Sequence, residues 1–395
     1  MYTSMFRKAM LGDTAKLSLD FTTGTVPTAV TFTRADSTAR ATFIDASGLV
    51  KTVDSAGAAR FDYVGGVAKG LLVEAAATNL VQYANFANNW LGGGSVTTAA
   101  SSEIDPAGGT GARQCTLANN TYCSKFEAIS GLEASTTYTW SYWIKGTPGN
   151  TQRVYSTTAG ADLVTQSAYT YSTTAWTRVS TTFTTTAAIT TAYIYPVNRN
   201  SATGEVLHIW GGQLEKGSVP SSNIITTTAS LTRLADDAVI RSTAWTSLYA
   251  QPGAMVVEFY RGAYGVGDRS IMSTDPTAAR HWHLKQANAS ATAQIAFSTG
   301  SPVTQTGLVS GLNKVAISWN APTPTASFDL CVNGATPTFG GSNVGTTLST
   351  WLTLGSQSTT GVSGTGVWDG YVNNSIKSVK YYSALTYAEM IAKTT

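Results

Sequence analysis

Hydrophobic and polar positions alternate with a period of two over much of this chain, the pattern of a half-buried strand. In TYTWSYWIKG (137–146) Tyr138, Trp140, Tyr142 and Ile144 share one face, and Thr139, Ser141, Trp143 and Lys145 share the other. The first set reads as core and the second as wet. The same period runs through WTRVSTTFTT, TAYIYPV and EVLHIWGGQL, and again through AMVVEFYRG, NKVAISWN and SFDLCVNGA nearer the end. Within the last of these, VNG at 332–334 is a tight-hairpin signal. Helical periodicity is almost absent, apart from a capping box, Thr386-x-x-Glu389, that opens a short helix over the final residues. The spacing predicts an all-β chain in four parts: a hairpin-rich N-terminal region (1–85), a first antiparallel sandwich (86–220), a polar linker strap (221–236) and a second antiparallel sandwich (237–395).

One position breaks the pattern. GLLVEAAA places Glu74 in an apolar run, and a carboxylate buried there without a partner would cost several kcal/mol. Pairing Tyr63 with Leu71 in a hairpin brings Arg60 opposite Glu74. An Arg60–Glu74 ion pair is therefore predicted, fixing the N-terminal region against the first sandwich.

Composition narrows the picture. The 395 residues are enough for two or three domains with cores of their own, and a charged fraction of only 12% beside abundant Thr, Ser, Gly and Tyr suits pleated surfaces. The net charge of +3 is spread without a run of Lys or Arg, which argues against nucleic acid as a partner. No apolar stretch approaches the ~20 residues that span a bilayer, and the start carries Arg7 and Lys8 without an apolar run of signal-peptide length. The expectation is synthesis in the cytoplasm with no membrane insertion. Cys115, Cys123 and Cys331 make no disulfide framework. Cys115 and Cys123 stand symmetrically about LANNT, as opposed hairpin positions would, so a local bridge and two reduced thiols are both open.

Candidate chemistry starts with the aromatic residues, whose faces stack on the C–H faces of sugar rings. Trp143 is the first glycan-binding candidate because alternation sets it among polar neighbours; Tyr193, Tyr195 and Trp282 are the others. A glycosidase needs two carboxylates about 5 to 9.5 Å apart across the scissile bond. Asp162, Glu205, Glu215, Glu258, Asp329 and Asp369 form no such motif, and GxSxG, GxxxxGK[ST] and CxxC are all missing, so no catalytic residues are assigned. His281 and His283 in HWH lie on one side of a strand, but a zinc site needs further ligands. No cofactor is expected. A structural calcium is the one ion left open, with no Asp-rich loop to name its ligands.

Several segments resemble virion proteins of tailed bacteriophages. LDFTTGT, TFTRA, RFDY, GLLVE and TNL follow one another before Asn89-Trp90, and GGQLEKGSVPSSNIITTTASLTRLAD is a long ordered match. The middle region is similar to carbohydrate-binding-module-like jelly rolls, and the C-terminal region resembles a concanavalin-A-like, laminin-G-type sandwich. The resemblance implies a tail fibre, spike, head fibre or decoration protein. It further implies a homotrimer attached to other virion proteins through its N-terminal region, facing host cell-surface polysaccharide. Synthesis in the host cytoplasm needs no signal peptide there. Arg60, Glu74, Asn79 and Glu215 fall inside the matching motifs and are assigned structural roles. The alternatives are an architectural decoration that binds no receptor and, third, a polysaccharide depolymerase.

Overall fold

A computed structural model of the protein describes residues 15–87, 90–93, 96–117, 122–200, 204–241, 248, 250, 252–262, 268–274, 282–287, 290–297, 301–319, 325–344, 351–355, 374–383 and 385–395. The start with Arg7 and Lys8, Asn89, His281 and Asp369 lie outside them. Among the described residues nearly all regular structure is antiparallel β, and no helix is long and apolar enough to cross a membrane. The chain forms two units, one from Ala35–Gly57 and Ala76–Leu234, the other from Met1–Arg34, Ala58–Ala75 and Ala235–Thr395.

The first unit is a sandwich of two five-stranded sheets. Strands Thr177–Thr184, Thr137–Gly146, Glu205–Lys216, Arg113–Leu117 and Val96–Ala100 pair in that order in one sheet. Ala161–Asp162, Val154–Ser156, Thr191–Asn200, Tyr122–Ser130 and Leu91–Gly93 make the other. Trp140, Tyr142, Ile144, Leu207 and Ile209 of the first sheet meet Ile129, Val154, Ile194 and Val197 of the second in one core, so the expected core face of 137–146 is the buried one. A register shift between Ser141 and Trp143 is taken up opposite Gly211 and Gly212. Gly211 has a φ of +67°, and a Cβ on Gly212 would stand 2.9 Å from the Phe86 ring, so larger residues fit neither position.

One open alternative falls away here, and one expectation is corrected. Cys115 lies in the first sheet and Cys123 in the second, so the two are not opposed positions of one hairpin. Cys115 is a free, fully buried thiol, pushed up to about 12 by desolvation. The face of 137–146 expected to be wet is covered: Thr139, Ser141 and Lys145 are buried, and Trp143 is half-buried. Val50, Ala112 and Trp210 form a second small core there with Ile44, Ala107, Trp143, Trp176 and Ile225. The strap does part of the covering, with Ser221, Asn223, Ile224 and Thr226 all buried and Leu231–Arg233 paired to Ala77–Asn79.

The second unit places an eight-stranded and a seven-stranded sheet face to face. Val257, Val315, Leu330 and Val379 of one meet Ile240, Met272, Leu284, Ile295 and Leu352 of the other. Its sheets are completed from the N-terminal part of the chain. Leu17–Asp20 and Val67–Val73 both pair with Asn374–Tyr382, and Thr31–Thr33 pairs with Asp237–Arg241. Among the described residues, the N-terminal strands Leu17–Asp20, Thr31–Thr33 and Val67–Val73 are thus parts of the sheets of this unit. Short hairpins bury too little to stand alone, and joining a larger sheet satisfies their open edges. The VNG turn has left-handed Asn333 and Gly334, although regular pairing resumes only at Leu330 with Thr338. The capping box is formed, and the helix Tyr387–Thr394 lays Met390 against Val256, Ala316 and Tyr382.

Glu74 sits in a buried ion network of this second unit. Arg60 Nη1 is 2.6 Å from Glu74 Oε2, Arg60 Nη2 also bonds Asp236, and Arg34 Nη1 is 2.9 Å from Asp236 Oδ1. Asp236 Oδ2 accepts the Glu74 N–H at 2.9 Å, and Arg34 donates to the Ala58 carbonyl. Burial by itself would depress the Arg60 guanidinium, but the charges of Asp236 and Glu74 outweigh it and hold the group above its ordinary value. The hairpin register differs from the predicted one, pairing Phe61 with Leu71. All four residues of the network belong to this unit, close in sequence to its bounds at Arg34, Ala58, Ala75 and Ala235. Removing one charge from such a network costs about 3–5 kcal/mol.

Candidate functional site

The outer face of the second sheet of the first sandwich brings together side chains from four strands. Tyr155 stands opposite Asp162 on one side and Tyr193 on the other, and Tyr193 stands opposite Ala128. Alternation explains the row: Val154, Ile194 and Ile129 turn into the core, so their neighbours Tyr155, Tyr193 and Ala128 turn out. Phe126 joins the cluster, with ring centroids 5.7 Å from Tyr193 and 5.1 Å from Tyr195, and Tyr155 lies 6.5 Å from Tyr193. Phe126, Tyr155 and Tyr193 are half-buried, whereas Tyr195 is buried within the cluster.

A cation is built into the same face. The Arg153 guanidinium lies 4.7 Å from the Tyr195 ring centre and 5.2 Å from that of Tyr155. Its Nε donates to Asp162 Oδ1 at 2.8 Å, and Gln166 holds Asp162 Oδ2 at 2.6 Å. Gln166 in turn accepts from Asn198, whose backbone N–H donates to the fully buried Asn150. Behind the face, Glu127 pairs in register with core-facing Ile194. It is buried, its Oε2 has no hydrogen-bond partner among the described residues, and desolvation raises its pKa to about 7.

The four predicted glycan-binding residues separate. Tyr193 and Tyr195 belong to this cluster. Trp143 lies on the other sheet, where its Nε1–H donates to Asn223 Oδ1 at 2.9 Å and its ring packs over Gly211 beneath the strap. Trp282 is fully buried in the core of the C-terminal sandwich and has no face to offer a ligand. Period-two alternation cannot distinguish an open face from a covered one. Phe126, Arg153, Tyr155 and Asp162 were missed; the Arg153-x-Tyr155 spacing, repeated in Tyr193-x-Tyr195, was the signal available for part of the cluster.

The structural candidates hold polar joints. Asn79 uses its whole amide: Nδ2 donates to the Gly212 and Ile224 carbonyls at 2.9 Å, and Oδ1 accepts from Val81 and Leu214 at 3.1 Å. Glu215 is buried and accepts from Gln213, the Ser221 N–H and the Ser221 hydroxyl, each at 2.7 Å. Desolvation still raises its pKa, against the pull of those donors and of Arg178. The other scattered carboxylates are tied as well, Glu205 to Arg199, Glu258 to Lys377, and Asp329 to Ser318 and Tyr387. His283 is buried, and no group of three metal-binding side chains occurs among the described residues.

No family model matches the chain, and no curated protein is similar to it. Solved structures are similar to parts of it. The CBM40 module of the Ruminococcus gnavus IT-sialidase is 17% identical, over 38% of this chain and 87% of that one, with a TM-score of 0.30. A tandem CBM22 pair from Paenibacillus barcinonensis is 9% identical, over 77% and 95%, with a TM-score of 0.30. Domains LG4-5 of the mouse laminin alpha1 chain are 8% identical, over 67% and 85%, with a TM-score of 0.25. At these scores the likeness carries nothing about what this chain binds.

Proposed function

We propose that the chain is a non-enzymatic structural component of a tailed-phage particle, a fibre, spike or decoration appendage, that presents a glycan-binding face for host adsorption. The observation that carries the glycan part is the outward row of Tyr155 and Tyr193, backed by Phe126 and Tyr195. Aromatic faces held on strands offer sugar rings a large contact area with little entropy left to lose. The ordered phage-type motifs of the N-terminal region and the strap support the virion part. The partners are two further copies of the chain, which cover sheet edges by assembling, other virion proteins through the N-terminal region, and host polysaccharide. Weak single contacts then gain by multivalency.

Glycan-array or host-adsorption measurements on Tyr193→Ala test the adhesive role. Loss of binding is expected, and unchanged binding removes this face from consideration. Light scattering that returns a monomer at working concentration counts against the trimer. The second reading, an architectural decoration, is favoured by the packing of half-buried Trp143 beneath the strap and the burial of Trp282 and Tyr195, and it stands if no glycan binds at all. A depolymerase is disfavoured because the described carboxylates among the acids considered for hydrolysis are engaged in structural contacts.

A further inference from the structure

The aromatic face carries its charge in a particular way. Arg153 is the cation stacked among the rings, and a bare guanidinium there would draw carboxylated sugars. Asp162 occupies the guanidinium Nε, and Gln166 fixes the other carboxylate oxygen, so Asp162 cannot swing aside without breaking both bonds. The chain of contacts continues through Asn198 to Asn150, whose Nδ2 donates to the buried Tyr142 hydroxyl, so the pair is anchored to the core. Tyr155 and Tyr193, by contrast, have no hydrogen-bond partner for their hydroxyls among the described residues.

Taking the adhesive reading as its basis, we propose that this face selects a neutral polysaccharide over an acidic one, with Asp162 as the specificity-determining residue through its cancellation of the Arg153 charge. A sialic or uronic acid laid on these rings would lose water from its carboxylate and find a cation already paired, which is unfavourable. A neutral sugar loses no charge solvation; its C–H face meets the rings, and its hydroxyls meet the two phenols. The row Asp162–Tyr155–Tyr193–Ala128 crosses four strands, roughly 14 Å at the ordinary strand spacing. It ends on an exposed alanine, whose small side chain leaves the sheet surface low there. An extended oligosaccharide makes fuller use of such a floor than a single ring.

The test titrates the full chain against immobilised neutral oligosaccharides (β-glucan and mannan series) and acidic ones (sialyllactose, oligogalacturonate) at low and physiological salt. The wild type is expected to bind a neutral member at least about tenfold more tightly than any acidic one. Asp162→Asn is expected to raise acidic binding about tenfold at low salt, with the gain shrinking as salt screens it. Arg153→Gln, which leaves Asp162 unopposed, should shift selectivity the other way. A wild type that prefers acidic glycans, or an Asp162→Asn variant with an unaltered acidic-to-neutral ratio, overturns the selectivity while leaving adhesion standing. Absence of binding to either set by the wild type and by Asp162→Asn removes the adhesive reading and the selectivity with it.

Discussion

On the outer face of one sheet of the first sandwich, Trp143 packs over Gly211 and is hydrogen-bonded to Asn223, in a small second core with Ile44, Val50, Ala107, Ala112, Trp176, Trp210 and Ile225 of the strap. On the outer face of the other, Tyr155, Tyr193 and Phe126 keep part of their rings open beside a paired arginine. Both faces come from strands of the same alternating texture and both carry outward aromatic side chains. The difference lies in what chain is left over to cover each. One face has become internal architecture, and the other stays half-open at Phe126, Tyr155 and Tyr193. A large outward aromatic residue in a strand thus identifies a surface worth testing, without telling whether the protein already uses it for itself.

The largest expected effect concerns the covered side. Asn79→Ala would strip two buried N–H groups and two carbonyls of their partner where the strap meets the sheet, costing about 4 kcal/mol in chemical denaturation. A loss under about 1 kcal/mol would mean that the strap is held by other contacts. Trp143→Ala comes next, at about 3 kcal/mol of stability for a half-buried indole and its hydrogen bond, with glycan binding unchanged on an array. If Trp143→Ala abolishes binding while the fold persists, the assignment of the two faces is reversed.

Tyr193→Ala should show the opposite profile, with about 1 kcal/mol lost in melting experiments and binding weakened by about tenfold or more. The smallest effect lies behind the open face. The Glu127 carboxyl is raised from 4.5 to about 7 by burial, so the folded state binds a proton that the unfolded state has already released. Its contribution is greatest below about pH 4.5, falls as pH rises toward 7, and above that leaves a buried charge. Glu127→Gln should match the wild type near pH 4 and exceed it by about 1–2 kcal/mol at pH 8, a figure already reduced for solvent screening. Urea titrations at the two pH values check it; equal stability at pH 8 would mean that the carboxylate finds solvent or a cation when it ionises.

Much of this molecule was legible in the chain. Alternation identified Tyr138, Trp140, Tyr142 and Ile144 as a core set because side-chain direction in a strand is a local property. The Thr386–Glu389 capping box was equally local, and so was the left-handed turn at Asn333 and Gly334. Glu74 was recognisable as a residue in need of a partner, and Arg60 as a cation within hairpin reach. Asp236, which bonds both Arg34 and Arg60, lies more than 160 residues from Glu74, and no short-range rule brings it there. The predicted boundary near residue 85 followed texture. Strand edges followed energetics, so the N-terminal strands completed the sheets of the C-terminal sandwich.

By itself, then, the sequence determined the all-β class, the inward and outward set of each strong strand, the helix start and the polar residues that must find partners. These depend on a period of two, on turn and capping chemistry, and on the cost of burying an unpaired charge. Only the tertiary structure decided which N-terminal strand joins which sheet, that Trp143 is covered while Tyr193 is half-open, and that Arg153 meets Asp162 among the rings. The physical reason is that coverage and pairing belong to segments far apart in sequence, which compete for the same edges and faces until the whole chain is packed.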